Sequence, residues 1–257
     1  MEINGKVIIV TGGASGIGKA MAERFVQDGA RAVVISDLNG EGAQQAARQI
    51  GAHPVQTDVA SEAQVADLIH ETEERFGPVD LFCANAGIGA GEGLNASDAE
   101  WEQSWKVNVM AHVYAARHLV PRMVERGYGY FLHTASAAGL LSQFEAPYAV
   151  TKHAVVAFAE WLSISYGDKG VRVSCLCPMG VDTPMLQSAP PAKRDQMAGD
   201  RMMSPEAVAD MVVQGLRDER FLILPHPEVL DFWQGRSNDH ERWLRGMRRF
   251  HAAVMEN

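Results

Sequence analysis

The sequence is poor in the features that mark secreted, membrane-spanning or metal-bound proteins. Its three cysteines, Cys83, Cys175 and Cys177, have no C-x-x-C spacing, so buried inert thiols are expected. The N-terminus has no basic leader and only a four-residue apolar run before the glycines, which predicts no signal peptide, no membrane span and a cytoplasmic location. No Pro/Gly/Ser-rich linker divides the chain, so we predict a single domain over residues 1–257.

Positive charge is also in deficit. Lys and Arg number 23 against 32 Asp and Glu, which gives a net charge of −9 and argues against nucleic acid or acidic membranes as partners. The exception is a run of five arginines in residues 236–249, inside a predicted C-terminal helical extension near residues 226–257. Apolar residues interrupt this run at helical spacing, which favours a packed helix. A hydrophobic fraction of 47% is that of a globular enzyme whose core needs no disulfide or metal.

What is present predicts an anion-binding turn near the N-terminus. The apolar run at residues 7–10 is β-branched and too short for a helix, which is typical of a parallel strand covered on both faces. Gly12, Gly16 and Gly18 follow it, at the start of a predicted helix. Glycines let the backbone approach a pyrophosphate closely, and the N–H groups at a helix N-terminus attract the anion. By itself this pattern also fits an ordinary strand-turn-helix.

An acidic residue stands where the second strand is predicted to end. Residues 32–35 are apolar, and Asp37 lies about 20 residues after the glycines, where a dinucleotide fold binds the adenosine ribose hydroxyls. A carboxylate at this position repels a 2′-phosphate. Asp37 therefore favours NAD over NADP, although an Asp after a strand is usually only a loop residue.

Strand and helix patterns alternate along the chain. Further strands are predicted at residues 54–57, 79–83, 130–134 and 171–176. Their alternation with helical segments predicts an α/β fold, a single-domain Rossmann-like doubly wound parallel sheet with helices on both faces. The longest helix, predicted over residues 98–126, contains Asn108, which can disturb the backbone ladder, and Pro121, which fits a kink or break.

Three polar side chains are predicted to meet at the sheet edge. Tyr148 and Lys152 are four residues apart and project from one face of a helix. Ser136 follows the fifth strand, on the carboxyl edge where doubly wound sheets bind ligands. A free tyrosine has a pKa of about 10, and a fixed ammonium nearby favours the phenolate. A Tyr–Lys pair alone occurs on many surface helices, so Ser136 and the glycine turn carry the prediction of acid–base chemistry.

In order and spacing, these motifs resemble those of the short-chain dehydrogenase/reductase family, from residue 5 to about residue 184. The resemblance implies an NAD-dependent alcohol dehydrogenase or ketone reductase. Tyr148 would be the general acid/base, Ser136 would bind the substrate oxygen, and Lys152 would hold the ribose and lower the tyrosine pKa. Asn108 would tie Lys152 to a proton-relay water. This chain departs from the family pattern at Ala84, which replaces the first Asn of a sheet-steadying turn, and at Met179, which replaces the usual Gly after Pro178.

The resemblance also implies which residues contact the cofactor and the substrate. The residues implied to hold NAD are Gly12, Ser15, Gly16, Ile17, Gly18, Asp37, Asp58, Val59, Asn85, Ala86, Gly87, Tyr148, Lys152, Pro178, Val181 and Thr183. Residues 183–205 would form a lid, and the implied pocket wall comprises Ala138, Leu141, Phe144, Met179, Met185 and Leu186. Methionines adapt to varied apolar shapes, and no Arg or Lys cluster is placed to bind an acid. A hydrophobic secondary alcohol or ketone is therefore the predicted substrate.

Relatives in the family associate through two helices, which here implies a homo-oligomer, tetramer or dimer, through residues 101–126 and 148–167. Three alternatives to the predicted activity stay open. The first is an NADP-dependent carbonyl reductase, which Asp37 disfavours. The second is a non-catalytic dinucleotide-binding protein, which has no need of the four polar side chains together. The third is a sugar-nucleotide epimerase, whose relatives use another glycine spacing and a longer substrate domain.

Overall fold

The fold is a parallel sheet with helices on both faces, seen in a computed structural model that describes residues 1–89, 91, 93–142, 145–189, 194 and 201–255. In this part of the chain, seven strands form one sheet in the order β3-β2-β1-β4-β5-β6-β7, with every neighbouring pair parallel. The strands are β1 (Val7–Thr11), β2 (Ala32–Asp37), β3 (His53–Gln56), β4 (Leu81–Ala84), β5 (Gly129–Thr134), β6 (Val171–Leu176) and β7 (Leu222–Ile223). The predicted α/β Rossmann-like class is confirmed.

The helices connect successive strands and leave the carboxyl edge of the sheet open. They are α1 (Gly16–Gln27), α2 (Gly40–Ile50), α3 (Glu62–Phe76), α4 (Asp98–Trp105), α5 (Ala111–Glu125), α6 (Ala138–Leu141), α7 (Ala146–Tyr166), α8 (Pro184–Gln187), α9 (Pro205–Arg217), α10 (Glu228–Asn238) and α11 (His240–Met255). The strand order reverses between β1 and β4. In open α/β sheets, ligands bind outside the carboxyl ends of the strands at such a switch point.

Successive strand residues feed two apolar cores, one on each face of the sheet. Ile8 and Val10 share a core with Met21 and Phe25 of α1. Ile9, between them, belongs to the opposite core, which α3, α5 and α7 cover. Because both faces are covered, the strand is apolar throughout instead of alternating with polar residues. Full burial of one such side chain stabilises the fold by about 1.5–3 kcal/mol.

The long helix predicted over residues 98–126 is in fact three segments. Between α4 and α5, a π-helical turn covers Lys106–Met110, so the backbone ladder is disturbed at Asn108 as predicted. π-turns are often found at functional sites. Pro121 does not break the helix, because α5 continues to Glu125. The proline lies on the exposed side, where water can bond the carbonyl that loses its helical partner.

The two-residue strand β7 was not predicted, because it is too short to show a period. Within the described residues, no helix is long and apolar enough to cross a bilayer. The division of the chain into a single domain stays a prediction. The lid near residues 183–205 also stays a prediction, because 190–193 and 195–200 lie outside the described residues. The segment near residues 226–257 contains α10 and α11.

Candidate active site

A cavity of about 990 Å³ opens at the carboxyl edge of the sheet, between the loops that follow β1, β2, β4, β5 and β6. This volume lies at the upper end of the range for small-molecule and cofactor sites. The predicted site residues that line it are Gly12, Ser15, Gly16, Ile17, Gly18, Asp37, Asp58, Val59, Asn85, Ala86, Gly87, Ser136, Ala138, Tyr148, Lys152, Pro178, Met179, Val181, Thr183, Met185 and Leu186.

Two predicted site residues within the described part of the chain are not on the cavity wall. Asn108 lies behind it, fully buried. The prediction that Leu141 forms part of the pocket wall is wrong, because its side chain is in the hydrophobic core and does not face the cavity. The reason is the close packing of α6 on α7, where a Cβ on Gly139 would lie 2.6 Å from the Lys152 carbonyl oxygen. Phe144 lies outside the described residues.

The glycine turn forms a cradle that side chains would fill. Gly12 has a φ of +66°, and a Cβ there would lie 2.9 Å from the Ala86 Cα. A Cβ on Gly18 would lie 2.1 Å from the Gly12 carbonyl oxygen, which is closer than any real contact. The Ser15 side chain does not cap α1, so the first-turn N–H groups stay available. An anionic pyrophosphate therefore fits this turn.

Two carboxylates lie along the same side of the cavity. Asp37 Oδ2 accepts a hydrogen bond from Ala14 N at 3.1 Å, and Oδ1 accepts one from Asn39 N at 3.0 Å. These contacts hold the carboxylate beside the glycine turn. Asp58 Oδ1 accepts from Ala60 N at 2.9 Å and faces the same end of the cavity. The residues at this end therefore fit the adenosine half of a dinucleotide.

Below the cavity, hydrogen bonds join the ends of β1, β4 and β5. Thr11 Oγ1 accepts from Asn85 N at 3.0 Å and from Ala86 N at 3.1 Å. The Asn85 side chain donates to Thr11 O, and its Oδ1 accepts from Thr134 Oγ1, both at 3.1 Å. The turn at Asn85 therefore sets the spacing of the three strands, although this chain lacks the Asn that usually precedes it in the family. Ala84, which stands in that place, is buried in the core.

Tyr148, Ser136 and Lys152 come together at the other end of the cavity. Lys152 Nζ lies 5.6 Å from the Tyr148 ring centroid and donates to Thr134 O at 2.9 Å. Burial raises the pKa of Tyr148, against the smaller lowering effect of its hydrogen bond with Ser136. Burial also lowers the pKa of Lys152 to about 8. A lowered tyrosine pKa was expected from the sequence, and the protein alone does not produce it.

Asn108 joins two parts of the site. Its Oδ1 accepts from Ile88 N at 2.8 Å, and its Nδ2 donates to Ile88 O at 2.9 Å and to Thr151 Oγ1 at 3.1 Å. A Cβ on Gly87 would lie 3.3 Å from both Asn108 Oδ1 and Lys152 Nζ. The side chain therefore connects the loop after β4 to helix α7 directly beside Lys152.

Sequence reasoning missed part of the cavity wall. Glu145, one helical turn before Tyr148, lines the cavity and accepts from Gly93 N at 3.1 Å. Gln103, in α4, and Val107, four residues later in the π-helical turn, also line the cavity. The position of Glu145 next to the Tyr–Lys motif and the position of Val107 next to Asn108 could have identified both. Among the described residues, no group of three His, Cys, Asp or Glu side chains could hold a metal ion.

Comparison with known proteins assigns the family. The sequence profile described as short chain dehydrogenase matches residues 6–194. The chain therefore belongs to the short-chain dehydrogenase/reductase family, as the motifs predicted. In structure it is similar to a short-chain dehydrogenase/reductase from Burkholderia phymatum in complex with NAD, with a TM-score of 0.85, 32% identity and coverage of 94% of this chain and 96% of that one.

Two similar relatives have names that describe different reactions. The chain is 35% identical over 239 residues to 1-deoxy-11-beta-hydroxypentalenate dehydrogenase of Streptomyces exfoliatus, which covers 89% of this chain and 86% of that protein. It is also 35% identical over 247 residues to (+)-cis,trans-nepetalactol synthase of Nepeta racemosa, covering 90% and 91%. Relatives at this level of identity therefore include both a named dehydrogenase and a named synthase.

Proposed function

We propose that the protein is an NAD-dependent oxidoreductase that interconverts a hydrophobic secondary alcohol and its ketone. The observation that carries this proposal is one continuous cavity with the glycine turn and Asp37 at one end and Tyr148 and Ser136 at the other. The Burkholderia structure contains NAD, and the name of the Streptomyces relative describes the dehydrogenation of a hydroxy compound. Both support the proposal.

In the oxidation direction, the Tyr148 oxygen takes the hydroxyl proton of the alcohol as its C–H hydride leaves. Ser136 donates a hydrogen bond to the same substrate oxygen, so the charge that develops there is stabilised. When bound, the oxidised nicotinamide supplies the hydride acceptor and a positive charge that lowers the pKa of a nearby phenol. In the reduction direction, the Tyr148 phenol donates its proton to the substrate oxygen, and burial, which raises the Tyr148 pKa, favours this protonated starting form. Lys152, whose Nζ lies 5.6 Å from the Tyr148 ring centroid, would hold the cofactor ribose.

The substrate end of the cavity is mainly apolar. Ile88, Val107, Met179 and Leu186 line the cavity beside the polar Gln103 and Glu145, and none of these six side chains presents a cation to a substrate acid. We therefore expect kcat/KM for NAD reduction to rise along a series of 2-alkanols, up to about 0.8 kcal/mol or fourfold per methylene, until the pocket is full. The 1-aryl alcohols should also be accepted. Preference for sugars or hydroxy acids, or no NAD reduction with any alcohol, would contradict this proposal.

The choice of cofactor is predicted to depend on Asp37. Because its carboxylate is fixed beside the glycine turn, it repels a 2′-phosphate. The wild type should prefer NAD over NADP by about tenfold or more in kcat/KM, which corresponds to about 1.4 kcal/mol. Asp37→Ala should reduce the preference for NAD over NADP, whereas Asp67→Ala, on the exposed face of α3, should leave this preference unchanged. Equal use of the two cofactors by the wild type would refute this prediction.

The outer face of α7 supports self-association. Val150, Trp161 and Ile164 are 47%, 53% and 83% exposed on it. Apolar surface concentrated on one face is typical of a protein–protein contact. We infer a homo-oligomer, dimer or tetramer, that buries this face, and light scattering of the purified protein measures its size.

A further inference from the structure

His226 makes two hydrogen bonds that neither the motifs nor the proposed reaction explain. It lies between β7 and α10 and is only 3% exposed. Met179 N donates to its Nδ1 at 3.1 Å, and its Nε2 donates to Arg201 O at 3.0 Å. An amide N–H can only donate and a carbonyl oxygen can only accept, so the ring is neutral with its proton on Nε2.

The two backbone segments that His226 joins already lie side by side. Met203 N donates to Gly180 O at 3.1 Å, and Asp182 N donates to Met203 O at 2.9 Å. Arg201 also pairs with Glu228, at the start of α10, at 3.7 Å. The His226 side chain therefore extends this short parallel bridge and fastens it to the region that leads into α10.

The bonded segment forms part of the cavity wall. Met179 and Val181 line the cavity, and the Thr183 methyl group would lie 3.0 Å from a Cβ on Gly16. His226 itself does not line the cavity. Met179, whose N–H bonds to His226, is the residue that replaces the usual glycine of the family. The His226 ring therefore holds the backbone at the position where this chain has a bulky side chain.

We propose that His226 is a positioning residue that holds the Met179 loop against the nicotinamide end of the cofactor. This inference rests on the proposed function. Without the ring, Met179 N is left without its partner, and an unpaired, partly buried donor favours a shifted loop in which the N–H reaches another acceptor. The adenosine end, at Asp37 and Asp58, belongs to other loops and should not change.

The test compares two ligands that differ only at the nicotinamide end. NAD and ADP-ribose binding is measured by calorimetry for the wild type, His226→Asn, His226→Gln and His226→Leu. Asn places an acceptor near the position of Nδ1 and keeps the Met179 bond, whereas Gln reaches only toward Arg201 and Leu makes neither bond. We expect the Gln and Leu variants to bind NAD about tenfold more weakly and the Asn variant less than about threefold more weakly, because only Gln and Leu lose the hydrogen bond to the partly buried Met179 N–H.

ADP-ribose affinity should stay within about twofold in every variant, which also reports that each variant is folded. His70→Asn, on an exposed helix face, is the control and should change neither affinity. Equal weakening of both ligands, or unchanged NAD affinity in the Gln and Leu variants, would overturn the positioning role alone. A wild type that binds neither ligand would overturn the proposed function and this inference with it.

Discussion

Tyr148→Phe is expected to lower kcat by about 10⁴-fold, at the upper end of the effect of a positioned acid–base group. The substitution removes the hydroxyl that exchanges the proton with the substrate oxygen and keeps the ring that packs 5.6 Å from Lys152 Nζ. The contacts of the glycine turn and Asp37 are far from this hydroxyl. Affinity for NAD should therefore stay within about twofold, a free-energy change below 1 kcal/mol.

Steady-state kinetics with the best alcohol, together with calorimetric NAD binding, measures both parts of this prediction. Tyr166→Phe is the matched control, because that hydroxyl lies at the far end of α7 and should not affect turnover. If Tyr148→Phe keeps activity within about tenfold of the wild type, its assignment as the acid–base group is wrong.

The buried pair His112 and His133 is expected to make the protein sensitive to acid. Their Nδ1 atoms lie 2.8 Å apart, and neither side chain is more than 1% exposed. Burial lowers the pKa of His133 to about 3 and holds that of His112 well below its usual value. The unfolded chain binds these protons below about pH 6.5, whereas the folded chain does not. The stabilisation is therefore complete above that pH and is lost as the pH falls toward 3.

At pH 5 this difference costs about 2 kcal/mol of unfolding free energy for His133, and the lowered pKa of His112 adds to this cost. Urea unfolding at pH 7 and pH 5 measures it. The double variant His112→Leu/His133→Leu removes both partners together, and its unfolding free energy should fall by at least about 2 kcal/mol less than that of the wild type between these pH values. His70→Leu replaces an exposed histidine, and its unfolding free energy should fall as much between pH 7 and pH 5 as that of the wild type. If the double variant loses as much unfolding free energy as the wild type between pH 7 and pH 5, the prediction is wrong.

Most of the predicted site residues line one cavity, because the motifs that contain them are defined by local spacing. Glycines at fixed intervals after a β-branched strand, an Asp at the end of the next strand and Tyr148 one turn from Lys152 need no knowledge of distant contacts. The parallel order of the sheet then brings these segments to one edge. Prediction failed where a side chain could turn either way, as at Leu141, which packs in the core because α6 lies close against α7.

The sequence by itself determined the first six strands in their order along the chain, the glycine cradle and the family, since all of these follow from periodicity and covalent spacing. Only the tertiary structure decided the partners of His226, which lie 47 and 25 residues away, and the pairing of His112 with His133. It also decided the direction of the Tyr148 pKa shift. The physical reason is the same in each case: desolvation and long-range hydrogen bonds depend on which elements pack together, and no local pattern contains that information.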